Sequence, residues 1–172
     1  MNLKILSNFK PPIVKKSENG VAAFHSYDWY FEQMKEFLQD KEKVFLTPCA
    51  ATKPIHTSNF YRLIYQKYAA VQKDREILVV SEPVVLIRYQ NLYDMEGAFM
   101  YDFPPKFLNQ ESRGIFVDRL SSLLSEKDIA GCLPKHHASL INDAVGTDWT
   151  NYWDGNIFSM IRKANLIKHQ NN

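Results

Sequence analysis

Cysteine is scarce in this chain: its 172 residues include two, Cys49 and Cys132, too far apart for a C-x-x-C pair. That usage suggests neither a zinc site nor a disulfide framework and favours a reduced, intracellular setting. Glycine is sparse too, at six residues, and neither the G-x-x-x-x-G-K-[ST] phosphate loop nor the G-x-S-x-G serine elbow occurs. No stretch approaches the ~18 apolar residues of a membrane span, and the N-terminus lacks the apolar run of a signal peptide. A cytoplasmic location is therefore expected. Charge of one sign is also lacking, because 21 basic and 19 acidic residues leave a formal net charge of +2. The whole chain thus carries little of the field of a non-specific nucleic-acid binder, although a local basic surface stays open.

What is present suits one domain with a substantial core: 45% hydrophobic residues, 23% charged and 13% aromatic. Residues 1–23 carry Pro11, Pro12 and Gly20 around a mixed charged run and read as an extended lead-in. The domain is expected over residues 24–168, with 169–172 a polar tail. Tyr30, Phe31, Met34, Phe37 and Leu38 predict a helix with Ser26 as N-cap. Val44 to Thr47 predict a strand, and Phe60, Leu63, Ile64, Tyr68 and Val71 a second helix. "EILVVS" predicts another strand, broken at Glu82-Pro83, beyond which "VVLIRY" resumes extended structure. Residues 90–106 read as irregular and placed to wrap over a site. Ile115, Phe116, Leu120, Leu123 and Leu124 predict a helix, "DIAGCLP" a third buried strand and "HHASLINDAV" a further helix. A turn and an amphipathic helix with Phe158, Ile161 and Leu166 are expected to close the chain. Strands that are nearly all apolar and alternate with helices predict an α/β three-layer sandwich with a small, largely parallel sheet.

In such folds ligands sit beyond the carboxyl ends of the strands. Cys49 to Ser58, Ser81-Glu82-Pro83 and Pro134 to His137 would then share one edge. The loop "PCAATKPIHTSNFY" admits a buried structural thiol, a metal site, a phosphate loop or an activated nucleophile. Its lack of glycine argues against phosphate binding. The metal reading fails on spacing, since adjacent His136 and His137 would face different ways on a helix and no cysteine or carboxylate stands at a usual ligand interval. A free thiol near pKa ~8.5 is only a few per cent ionised at neutral pH, so a nucleophilic Cys49 needs nearby positive charge. Lys53, His56 or the helix opening near Thr57 and Ser58 are the local sources. Cys132, in an apolar run without a cation, reads as structural. Glu82 is the first candidate acid or base, with a pKa expected to rise on partial burial, and Asp102 between Tyr101 and Phe103 is the second. Either carboxylate could instead cap backbone amides, and the aromatics could close a core or stack a base.

The same loop resembles the P-C-x-x-x-K-P-Y-x-x-S-x-x-H signature of the archaeosine synthase core, a family related to tRNA-guanine transglycosylases. Pro48, Cys49, Lys53, Pro54 and Ser58 match in register, while Ile55 replaces the tyrosine and Tyr61 the histidine. "SEP", "YDFP" and "DIAGCLPKHH" resemble further segments of the family, so the likeness runs over about residues 40–145. It implies addition of an amine such as lysine across the nitrile of a 7-cyano-7-deazaguanine-type base through a Cys49 thioimide. Lys53, Glu82 and Asp102 would assist, and Pro48, Thr52, Pro54, Ser58, Tyr61, Ser81, Pro83, Tyr101 and His136 would line the substrate. No cofactor or metal is implied. With no room for the family's barrel or RNA-binding appendage, the partner is expected to be DNA, a nucleotide, or tRNA delivered by another protein. The alternatives are base excision by a nucleoside hydrolase or glycosylase-like activity, with Glu82 or Asp102 polarising water, and a non-catalytic nucleic-acid or protein-binding module.

Overall fold

A computed structural model describes residues 10–13, 20–62 and 75–156. Strands β1 (Lys43–Pro48), β2 (Glu76–Ser81), β3 (Val85–Arg88), β4 (Asp128–Gly131) and β5 (Thr150–Asn151) form one sheet in the order β3-β2-β1-β4-β5. β1 runs parallel to both β2 and β4, β5 is parallel to β4, and only β3 is antiparallel. Helices flank this mostly parallel sheet to give an α/β three-layer sandwich. From Val44 to Pro48 and from Ile77 to Ser81 every residue is buried, as expected of strands covered on both faces.

The helices are α1 (Val21–His25), α2 (Asp28–Leu38), the short α3 (Asn91–Asp94), α4 (Gln110–Leu124) and α5 (Lys135–Val145). The helix expected after Ser26 is α2, which starts at Asp28 with Tyr27 at its N-cap, and a short helix, α1, precedes it and starts within the stretch read as an extended lead-in. Ser26 ends α1, and its hydroxyl donates back to Ala22 O at 2.9 Å rather than capping α2. Phe24 in α1 and Tyr27 at the N-cap of α2 are both fully buried, so the core holds the chain on either side of Ser26. Tyr27 Oη donates to Ala98 O at 2.6 Å, so its buried hydroxyl is satisfied. Folded structure also starts before the expected boundary at residue 24, since α1 begins at Val21.

α4 starts at a capping box in which Asn109 accepts from the Ser112 amide, and it buries Phe116, Leu120, Leu123 and Leu124. It packs on α1, α2 and α5. β1 and β4 approach closely where Gly131 faces Leu46: a Cβ at residue 131 would stand 2.7 Å from Leu46 O. Glycine is needed there for backbone proximity. Residues 90–106 hold α3 and 3-10 turns at Glu96–Phe99 and Pro105–Phe107, with an isolated bridge from Ile13 to Asp102. Residues 59–62 are helical; Leu63, Ile64, Tyr68, Val71 and the closing helix through Phe158, Ile161 and Leu166 lie outside the described residues. Among the described residues no helix is long and apolar enough to cross a membrane.

Candidate active site

The parallel register puts the carboxyl ends of β1, β2 and β4 at one edge. Three segments meet there: Cys49 after β1, Glu82 after β2 and the first turn of α5 after β4. Cys49 donates its backbone N–H to Val80 O at 3.0 Å, which ties the loop to β2. Glu82, only 2% exposed, sits in the tight turn into β3. Val85, the first residue of that antiparallel strand, has φ 87°, a left-handed conformation rare for a β-branched side chain. Strain of this kind costs on the order of 1–3 kcal/mol and tends to sit beside functional groups.

Both histidines reach Glu82. His136 Nε2 lies 2.6 Å from Oε1 and His137 Nε2 3.2 Å from Oε2. The expectation that neighbours on a helix must diverge is therefore corrected. One carboxylate offers two oxygens, and the two imidazoles, with centroids 5.2 Å apart, close on it from either side. The spacing argument against ligands fails for the same tertiary reason: Cys49 Sγ, a Glu82 oxygen and a His137 ring nitrogen all lie within 4.8 Å of one another. His137 is almost wholly buried, whereas the His136 side chain is 41% exposed.

The electrostatics form a coupled set. Burial alone would raise the Glu82 pKa, but the bonds and charge of His136 and His137 outweigh it and bring the carboxyl down to about 2. The expected upward shift is thus reversed, and Glu82 is a fixed anion. His137 is disfavoured as a cation by burial, yet Cys49 and Glu82 raise it to about 9. Burial pushes the Cys49 thiol up, while its interaction with His137, aided by Lys53, lowers it below its ordinary value. Opposite shifts on thiol and imidazole favour a thiolate–imidazolium pair, with Glu82 holding the imidazolium.

Lys53 donates to Ala50 O at 2.6 Å and stands 4.7 Å from the Tyr101 ring centroid. Burial lowers its pKa despite the opposing pull of Cys49, Glu82 and Asp102. Tyr101 shares a short hydrogen bond with the Ser81 hydroxyl, and burial together with the Cys49 charge raises its pKa. Asp102 is exposed, as is Thr52; Pro54 is half-buried and Pro83 buried. Ser58 Oγ accepts from Tyr61 N at 3.2 Å and caps the helical turn of residues 59–62. Tyr61, fully buried, donates its hydroxyl to Pro48 O and meets Thr47 Oγ1 at 3.1 Å, so it braces the residue before Cys49. His56 packs on Tyr93 with centroids 4.7 Å apart. Cys132 is fully buried in the core.

His137 is the residue that sequence reasoning placed at this edge but gave no catalytic role. What the sequence did not show is that its ring meets Glu82 and lies within 4.8 Å of the Cys49 sulfur.

No protein-family model matches the chain, and no curated protein matches it. Among solved structures the chain is similar to AF0587, described as a protein of unknown function, with a TM-score of 0.55 and 15% identity. The match covers 83% of this chain and 49% of that one, so the chain spans about half the length of that structure. The likeness is one of α/β fold.

Proposed function

We propose that the protein is a transferase that works through covalent catalysis by Cys49 on the nitrile of a 7-cyano-7-deazaguanine-type base. The observation that supports this reading best is the cluster of Cys49 Sγ, His137 and Glu82 within 4.8 Å at the carboxyl edge of the sheet. The thiolate adds to the nitrile carbon, a C–S bond forms, one C–N π bond breaks, and the nitrogen takes the proton of the His137 imidazolium. An amine then attacks the thioimide carbon and gives up its proton to His137. The C–S bond breaks, and an amidine leaves with Cys49 regenerated. No electrons are gained or lost, so no redox cofactor is required. Lys53 and the His137 cation offset the charge that develops on nitrogen. The base and amine identities follow the sequence resemblance, with lysine the first donor to try.

Water activation by Glu82, as in base excision, is less well supported, because a carboxylate with a pKa of about 2 that is engaged by two imidazoles is a weak base. The test is intact-protein mass after incubation with 7-cyano-7-deazaguanine as base, nucleoside and oligonucleotide. The expected result is a gain equal to the whole mass of the compound, since addition to a nitrile expels nothing, and no gain in Cys49→Ala. A wild-type protein that binds these compounds without a mass gain counts against the nucleophile and favours a binding module.

A further inference from the structure

The same three side chains form a donor set that the proton chemistry does not exhaust. A borderline-soft dication of the zinc class takes thiolate sulfur, imidazole nitrogen and carboxylate oxygen, and three protein ligands with one open position is the arrangement of reactive zinc sites. Cys49 Sγ, a Glu82 oxygen and a His137 ring nitrogen already lie within 4.8 Å of one another, so small side-chain movements bring them onto one ion. Glu82 and His137 come from the turn after β2 and the first turn of α5, and both are buried. His137 Nε2 meets Glu82, while its Nδ1 is buried with no hydrogen-bond partner among the described residues. The second Glu82 oxygen is held by His136, the kind of outer partner that orients a ligating carboxylate.

We infer that Cys49, Glu82 and His137 bind a thiophilic divalent cation of the zinc class, and that the bound cation silences Cys49 as a nucleophile. The first half stands on the donor geometry, while the second rests on the nucleophile reading above. Coordination takes the deprotonated thiol, so metal and electrophile compete for one sulfur and binding releases protons.

The experiment is titration of the full-length reduced protein with cobalt(II) as a spectroscopic zinc surrogate, followed by displacement with zinc. The expected result is a sulfur-to-cobalt charge-transfer band that strengthens as pH rises. It is expected to vanish in Cys49→Ser with affinity down more than about a hundredfold, and to weaken about ten- to a hundredfold in His136→Gln. His136 is partly exposed, so the second variant is read even if the first folds poorly. A missing band, or equal affinity in wild type and Cys49→Ser, overturns the site. Zinc at saturation is expected to block alkylation of Cys49 by iodoacetamide; undiminished alkylation overturns the silencing. The band does not depend on catalysis, so a metal site without a nitrile adduct, or an adduct without a metal site, separates this inference from the proposed function.

Discussion

Replacing His137 by glutamine tests the assignment of Cys49 most directly. Glutamine retains an N–H donor towards Glu82 but carries no charge, so Cys49 loses its cationic partner while burial and Glu82 still oppose ionisation. A hydrogen bond to a charged group is worth roughly 1.5–3 kcal/mol, and ~2 kcal/mol is a fair value for this half-buried thiol. At 1.36 kcal/mol per pKa unit that is about 1.5 units, or ~30-fold less thiolate at a pH below both values. A more basic thiolate is also more nucleophilic, and a Brønsted slope of about 0.4–0.5 returns ~4–5-fold. Alkylation of the variant by iodoacetamide is therefore expected to run ~6-fold slower than wild type on the acid limb of the rate-against-pH curve, below both thiol pKa values, and ~4-fold faster once both thiols are ionised. Cys132 is fully buried, so intact mass reports one reacting site. Superimposable rate-against-pH curves for the two proteins would refute the thiolate–imidazolium pair.

Stability should also follow this pair. The folded Glu82 pKa is depressed from 4.5 to about 2, so its contribution is complete above 4.5 and is lost as pH falls through about 2. The folded His137 pKa is raised from 6.5 to about 9, so its contribution is complete below 6.5 and is lost as pH rises through about 9. Each shift corresponds to roughly 3 kcal/mol, but both largely describe one interaction and do not add. Urea unfolding is expected to show greatest stability between pH 4.5 and 6.5 and a flatter profile in Glu82→Gln; equal profiles would remove the pair as the cause. Tyr61→Phe leaves the buried Pro48 carbonyl without the tyrosine hydroxyl and is expected to cost about 1–3 kcal/mol in the same assay. A change within ~0.5 kcal/mol would show that the hydroxyl does not brace the loop.

Apolar runs such as Val44 to Thr47 and "EILVVS" announced strands buried on both faces, and their alternation with helices implied a mostly parallel sheet. Parallel strands share a carboxyl edge, so the meeting of the segments after β1, β2 and β4 was legible from order alone. The short helix α1 was not, because five residues are too few to show a periodic apolar face. Nor was the site's charge state. From sequence, Glu82 was a carboxylate at the end of a buried strand, and burial alone implies a raised pKa. Only the docking of α5 against the β2 turn supplies two imidazoles to reverse the sign. Lys53 was the cation visible beside Cys49 in the chain, yet the stronger partner, His137, lies 88 residues away in sequence and reaches the thiol because β4 pairs with β1. Local sequence thus determined which groups stand at each strand end, through hydrophobic period and strand length. Pairing across the sheet decided which of them share a proton, because hydrogen bonds and charge act over a few ångströms of space whatever the separation along the chain.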